Sequence, residues 1–230
     1  MGVDISKAKA KAAEEQAKQD ARTKGFQSVI YWKPSQGKNK IRVMPPWTAE
    51  ETNPNANQFW REVYVHFSVG DNNSVFACPA KTAGSSGDEC PICDEVARLR
   101  STRDPADAEQ AKDMAGKQRL YSNIVDLADP VYTAEDVKEW SENDFNKDKE
   151  CQFKAGDTKI QVFGYGPMIF KQLLDIFTEN VDITDLADGY DISITRSGKD
   201  RNTEYQVTIV PPASPFQLVG RDIGDANIDL

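Results

Sequence analysis

Residues 66–93 read HFSVGDNNSVFACPAKTAGSSGDECPIC, and this stretch decides how the fold is interpreted. It contains the only histidine of the 230 residues and three of the four cysteines. Cys90 and Cys93 form a Cys-Pro-Ile-Cys knuckle, in which a tight turn points both sulfur atoms toward one metal ion. His66 and Cys78 supply two further ligands. Four protein ligands leave no open coordination position, so the stretch predicts a structural zinc site.

Two other interpretations of these residues remain open. A Cys-x-x-Cys pair can be a redox motif, but such motifs open a helix in a βαβ unit, and the sequence shows no such unit. The cysteines can also be small buried hydrophobic residues, and the histidine an ordinary core or surface side chain. Ligand type and spacing favour one structural Zn²⁺ ion as the cofactor. Cys151 lies far from the cluster and is interpreted as a buried thiol.

The composition is typical of a soluble globular protein, with 39% hydrophobic and 28% charged residues. No apolar run approaches the roughly 18 residues that span a bilayer, and the N-terminus lacks the apolar segment of a signal peptide. Thiols arranged for a metal then predict a reducing, cytoplasmic location and no membrane partner. Residues 1–6 match the myristoylation pattern, which is too short to carry weight alone.

The net charge of −9 argues against a nucleic-acid partner, but the charges are unevenly distributed. Basic residues are concentrated in residues 7–24, 33–42 and 98–119, whereas residues 175–191 hold six acidic side chains and no basic one. A phosphate backbone responds to a local basic stripe rather than to the net charge. Nucleic acid therefore stays among the expected partners.

Hydrophobic periodicity predicts six to eight short strands with few helices between them. The predicted strands are residues 26–32, 39–44, 59–67, 75–77, 119–127, 159–165, 190–195 and 204–210, and the predicted helices are 4–24, 91–99, 105–116, 133–140 and 167–177. Such a pattern favours an antiparallel barrel or sandwich over a parallel sheet. We expect a mainly β fold with α-helices: an OB-type antiparallel barrel with an inserted zinc-binding subdomain and peripheral helices.

Cations and flat rings alternate along several predicted strands, as single-strand binding requires for phosphates and bases. Side chains alternate across a strand, so either Tyr31 or Trp32, and not both, is expected in a groove. We select Trp32. The full set of candidate DNA contacts is Trp32, Lys40, Arg42, Arg100, Arg103, Lys117, Arg119, Tyr121, Phe163 and Tyr165.

A series of motifs runs along the chain in the order Trp32-Lys33-Pro34, Gly37 to Pro45, His66, Cys78, Cys90-Pro91-Ile92-Cys93 and Tyr121-Ser122-Asn123-Ile124-Val125. Together these motifs resemble the single-stranded DNA-binding (helix-destabilising) proteins of T-even-type bacteriophages, over about residues 8–215. The resemblance implies a protein that coats single-stranded DNA cooperatively during phage replication, recombination and repair in the infected host cell. Lys40 and Arg42 match the family's basic strand, and Lys117, Arg119 and Tyr121 match its basic-then-aromatic strand.

The resemblance also implies three regions. Residues 1–25 form a helical arm for self-association on DNA, residues 26–215 form the OB core with the zinc subdomain at about 60–118, and residues 216–230 form an acidic tail. The tail is expected to recruit replication and recombination proteins. Residues 2–6 lack the Lys/Arg-Ser/Thr cluster that opens the family's arm, although Arg100-Ser101-Thr102-Arg103 resembles it.

Two alternatives compete with single-strand binding. A zinc-braced β-domain adaptor that binds proteins would suit the acidic balance of the chain. An enzyme acting on nucleic acid would need carboxylates converging on a metal, or a nucleophile beside a base. Asp182, Asp185 and Asp188 are interpreted as a solvated acidic loop, and the only histidine is assigned to zinc. There is no Gly-rich Walker loop, so we expect no catalytic activity.

Overall fold

The described part of the chain is a mixed α/β fold built on one large sheet. The computed structural model describes residues 31–46, 57–70, 74–82, 89–143, 146, 151–179, 181–199 and 202–220. The predicted N-terminal arm and residues 221–230 of the predicted tail lie outside the described residues.

Eight strands and four helices are found in this part of the chain. The strands are β1 (Tyr31–Trp32), β2 (Gly37–Val43), β3 (Arg61–Val69), β4 (Ser74–Ala77), β5 (Lys117–Asp126), β6 (Ile160–Tyr165), β7 (Asp191–Ser197) and β8 (Glu204–Val210). The helices are α1 (Pro91–Ser101), α2 (Pro105–Met114), α3 (Ala134–Glu142) and α4 (Pro167–Thr178). The predicted elements within the described residues are confirmed, with ends shifted by a few residues.

Local signals in the sequence explain where the helices begin. Helices α1, α2 and α4 begin with a proline. The fixed φ of proline suits the first helical position, and its lack of an N–H costs no hydrogen bond there because a first-turn N–H has no acceptor within the helix. The Asp104 side chain caps α2 by accepting from the Ala106 N–H. Thr133 and Asp136 form a reciprocal capping box at the start of α3.

The sheet branches at β5, its longest strand. Its pairing order is β1-β6-β5-β2-β7-β8, and β3 pairs with both β4 and β5. Residues 117–121 of β5 pair with β3, whereas residues 124–126 pair with β2. All pairings are antiparallel except that of β1 with β6. No pairing between described strands joins β1 to β8, so the sheet is open and the expected OB-type antiparallel barrel is not shown.

The two faces of this sheet are packed differently. The inner face carries the main core, where Ile41, Leu120, Ile124 and Ile192 pack with α4 residues such as Leu173. Residues that alternate with these define the outer face. Part of the outer face, which we call the covered half, consists of Arg42, Val125 and Ile160 beneath residues 211–220. A third small core joins α1 to α2.

The C-terminal segment extends the folded body past the predicted boundary at residue 215. Phe216 and Leu218 pack on the cluster of Met44, Val125 and Ile160. Val219 exchanges hydrogen bonds with Thr158: its N–H donates to the hydroxyl at 2.8 Å and its carbonyl accepts from the Thr158 N–H at 3.0 Å. Residues 216–220 therefore pack on the folded body, with Phe216 and Leu218 partly buried.

Candidate functional site

The four predicted metal ligands meet in one cluster. The imidazole of His66 and the thiols of Cys78, Cys90 and Cys93 place their ligand atoms within 4.8 Å of one another. His66, Cys78 and Cys90 are buried. Three thiols and one imidazole can hold a metal ion in this arrangement.

Each ligand comes from the end of a regular element. His66 lies near the end of β3, and Cys78 follows β4, where its N–H donates to the Tyr64 carbonyl at 2.6 Å. Cys90 is the residue before α1, and Cys93 lies in the first turn of that helix. The cluster therefore ties the β3–β4 hairpin to the α1–α2 pair.

The orientation of the His66 ring is set by groups outside the ligand set. Its Nδ1 lies 2.7 Å from the Met114 carbonyl oxygen. A carbonyl oxygen only accepts, so Nδ1 carries the proton and the lone pair of Nε2 is available to a metal. Nε2 lies 3.4 Å from Cys90 Sγ and 3.6 Å from Cys93 Sγ. A Cβ at Gly116 would lie 3.2 Å from His66 Cε1, so a glycine there leaves room for the ring.

The thiols cannot all ionise beside one another without a positive charge. Burial, and then the neighbouring thiols of Cys78 and Cys90, raise the pKa of Cys93 to about 12. Thiolates are the metal-binding form of cysteine, and a divalent cation stabilises them. The donor set thus fits a soft or borderline divalent cation.

A second feature of the structure is an exposed region of the outer face next to the cluster. We call it the open half and define it by Tyr31, Arg61, Phe67, Lys117, Arg119, Tyr121 and Gly164. The strand registers place these residues on one side: Arg61 is opposite Tyr121, Tyr121 is opposite Gly164, and Tyr31 is opposite Val162. Phe67 directly follows His66, so β3 contributes residues both to the open half and to the cluster of candidate ligands, which we call the metal cluster.

Cations on the outer face have few carboxylate partners. Lys117 Nζ lies 5.8 Å from the centroid of the Phe67 ring, and Arg119 Cζ lies 5.3 Å from it. No ion pair between described residues includes Lys38, Lys40, Arg61, Lys117 or Arg119. Among described strand residues this face holds two carboxylates: Asp191, which pairs with Arg42, and Glu204 on the edge strand β8. The face is positive although the chain is acidic.

Four predicted DNA-contact residues lie on this face. Lys117, Arg119 and Tyr121 belong to the open half, and Lys40 is exposed on the same side of β2. Arg100 and Arg103 are exposed at the end of α1 and just after it. The structure does not place these two arginines on the sheet.

The other four predicted contacts are buried, which corrects their assignment. Trp32, Phe163 and Tyr165 lie on the inner face, where Trp32 packs edge-on against Phe163 at 4.9 Å and its indole N–H donates to Asp126 at 2.7 Å. Arg42 is fully buried in the covered half. Strand alternation was the right rule, but Tyr31, and not Trp32, is the member of the pair that faces outward.

Sequence reasoning missed four members of the open half. Tyr31 was the unselected member of an alternating pair. Arg61 and Phe67 lie in a strand that the sequence did predict, at positions that share one face, and this spacing was the available signal. Gly164 gives no signal by itself, because its importance depends on the residue opposite it on β5.

The structure adds two further findings. None of the described helices has the length and apolar character needed to cross a membrane.

Asp182 and Asp185 accept hydrogen bonds from their own turns, Asp182 from Thr184 and Asp185 from Ala187 and Asp188. The carboxylates of Asp182 and Asp185 thus cap turns.

No protein-family model matches this chain, and no curated protein matches it.

Proposed function

We propose that the protein binds single-stranded DNA with little sequence preference. The observation that carries this proposal is the open half of the outer face, where cations that form no ion pair with a described carboxylate lie beside the exposed Tyr31 and the partly buried Tyr121. The cations suit phosphates, and every base offers a π-face to an aromatic ring. Each stacked base contributes about 1–3 kcal/mol.

The metal cluster supports the shape of this surface. We propose that it holds one structural Zn²⁺ ion, the cation that thiolate and imidazole ligands bind most often in closed sites. His66 precedes Phe67, and Gly116, which contacts the His66 ring, precedes Lys117. Metal binding would therefore hold β3 and β5 in the positions that present Phe67 and Lys117.

The resemblance to T-even phage single-strand-binding proteins supports a biological role. We propose that the protein coats single strands during phage DNA replication, recombination and repair in the cytoplasm of an infected host. The resemblance also supports partner recruitment by the acidic tail and self-association through the N-terminal arm. The function needs no catalytic residue. The branched, mainly antiparallel sheet is compatible with a partly open barrel of the OB type.

One observation favours the protein-binding adaptor as a second candidate. Val75 is 60% exposed and Phe76 is 48% exposed on the short strand β4, which pairs only with β3 among the described strands. Exposed apolar residues on an edge strand suit strand addition by a partner peptide. The adaptor would use this edge and leave the basic open half without a ligand.

Fluorescence anisotropy with labelled oligo-dT separates the two candidates. Single-strand binding predicts an affinity that falls steeply as salt rises, because bound phosphates release counterions. Lys117→Ala should weaken binding and reduce the salt slope, and Lys138→Ala, an exposed lysine on α3, is the matched control. Absence of binding at low salt, or equal effects of the two variants, would refute the proposal. Loss of the label by magnesium-dependent cleavage would show an enzyme instead.

A further inference from the structure

Tyr121 occupies an unusual position over a strand glycine. Gly164 lies directly opposite it on β6. A Cβ built at Gly164 would come within 2.9 Å of Tyr121 Cε1 and 3.2 Å of Cδ1, closer than side-chain atoms normally approach. The tyrosine ring therefore lies across the backbone of Gly164.

The backbone conformation at Gly164 does not itself demand glycine. The φ of Gly164 is outside the left-handed region, whereas that of Gly156, in the turn before β6, is inside it. Glycine inside a strand weakens the sheet, and it often marks a place where another group must approach the backbone closely. At Gly164 that group is the Tyr121 ring.

Tyr31 is the neighbour of this ring on the other side of β6. It pairs with Val162, two residues before Gly164, and it faces the same side of the sheet. Its side chain is 43% exposed. Burial and then the nearby Tyr121 raise the pKa of Tyr31. The strand registers place the two residues on either side of β6, at positions that share the outer face. Two rings thus share one surface that runs across β5, β6 and β1.

We propose that Gly164 is a positioning residue that holds Tyr121 flat beside Tyr31, so that the two rings form a platform for unpaired nucleobases. This inference rests on the proposed single-strand binding and names the residues that supply the part of the binding affinity that depends on the bases. Arg119 and Lys117, next to the platform, carry the phosphate-dependent part. A side chain at position 164 would lift the Tyr121 ring away from the sheet and tilt it out of the stacking plane.

An aromatic ring over a strand glycine can also stabilise a sheet without any ligand. The experiment must therefore separate base stacking from folding. We would compare binding of oligo-dT with binding of an abasic oligomer of the same length, which keeps the phosphates but offers no bases. The full chain is used, and the melting temperature of every variant is measured in parallel.

The platform predicts a loss that is confined to oligo-dT. Tyr121→Ala should weaken oligo-dT binding by about 5- to 150-fold, the range that corresponds to one stacked base. Gly164→Ala should weaken it by a smaller factor in the same direction, and both variants should bind the abasic oligomer like the unmodified protein. Tyr121→Phe and Tyr31→Phe should retain binding, because stacking needs the ring and not the hydroxyl. In a Tyr121→Ala background, Gly164→Ala should have no further effect.

Two results would overturn the platform and leave the proposed function intact: unchanged oligo-dT affinity in Tyr121→Ala and Gly164→Ala, or equal losses for oligo-dT and the abasic oligomer. If Gly164→Ala fails to fold, Tyr31→Ala on the edge strand β1 gives the same discrimination, since this exposed side chain is not part of the core. Absence of oligo-dT binding by the unmodified protein would refute both the function and the platform.

Discussion

Arg42 and Arg119 extend from the same face of the same sheet, yet their surroundings are opposite. Arg42 is fully buried, and its guanidinium donates to Asp191 at 2.9 Å and to the Ser214 carbonyl at 2.7 Å. Arg119 is partly exposed and contacts the Phe67 ring. Within the described residues, the C-terminal segment covers the first arginine and makes no recorded contact with the second. A basic residue on a strand therefore marks a binding surface only where no other segment of the chain covers it.

The largest expected effect comes from removing the buried arginine. Arg42→Ala leaves Asp191 without an ion-pair partner among the described residues and removes the hydrogen bonds from Arg42 to Ser214, so the free energy of unfolding should fall by about 3–5 kcal/mol. Arg119→Ala should change stability by less than about 1 kcal/mol but weaken oligo-dT binding. Urea denaturation and anisotropy measure the two properties. Similar stability losses in both variants would remove the distinction between the covered and open halves.

Loss of the proposed zinc ion should act on the open half more than on the covered half. With zinc at 100 times its Kd, Cys90→Ser should lower the free energy of unfolding by about 2.7 kcal/mol, the contribution that mass action assigns to the bound ion. Hydrogen exchange should speed up in β3 and in the first half of β5, and oligo-dT affinity should fall. Cys151→Ser, the cysteine outside the cluster, is the control. A zinc content well below one per chain, with no effect of Cys90→Ser, would contradict the site.

Acid should weaken the region around the covered half through Asp136. Lys159 donates to Asp136 and to Asp129, both at 2.7 Å, and anchors α3 beside β6. Burial by itself would raise the pKa of Asp136. Hydrogen bonds from Lys159 and Thr133 outweigh burial and lower this pKa to about 2 from 3.8. The unfolded chain therefore takes up this proton first, and the stabilisation is complete above about pH 4 and disappears as the pH falls through about 2.

Solvent partly screens the Lys159–Asp136 pair, so protonation of Asp136 should lower the free energy of unfolding by about 1–2 kcal/mol. Urea denaturation at a series of acidic pH values would measure it. Asp136→Asn removes the titrating group and should flatten this part of the pH profile. An unchanged profile in the variant would assign the acid sensitivity to other carboxylates.

The smallest effect concerns the exposed lysine beside the buried arginine. Lys40 lies two residues before Arg42 and faces the same side of β2, but it is exposed. Lys40→Ala should leave stability nearly unchanged and reduce the slope of log affinity against log salt by about 1, the effect of losing one phosphate contact. Lys112→Ala on α2 is the control. An unchanged slope would restrict the binding surface to the open half.

Much of the fold was predictable because its signals are local. Pro91 and Pro105 mark the starts of two helices, and Thr133 with Asp136 marks a third. Alternation of polar and apolar residues located most strands, and Cys90 with Cys93 located the metal cluster. The sheet order and its open edges were not predictable, since they depend on which distant strands pair.

By itself, the sequence determined the positions of the elements and the set of candidate metal ligands, because periodicity, capping and ligand spacing act over short stretches of chain. Only the tertiary structure decided which side of each strand meets solvent. Tyr31 is exposed and Trp32 is buried because β1 adds to β6 in one register, and Arg42 is buried because residues from the far end of the chain pack over it. Whether a residue is buried depends on the distant segments that pack on it, so the local sequence pattern cannot specify burial.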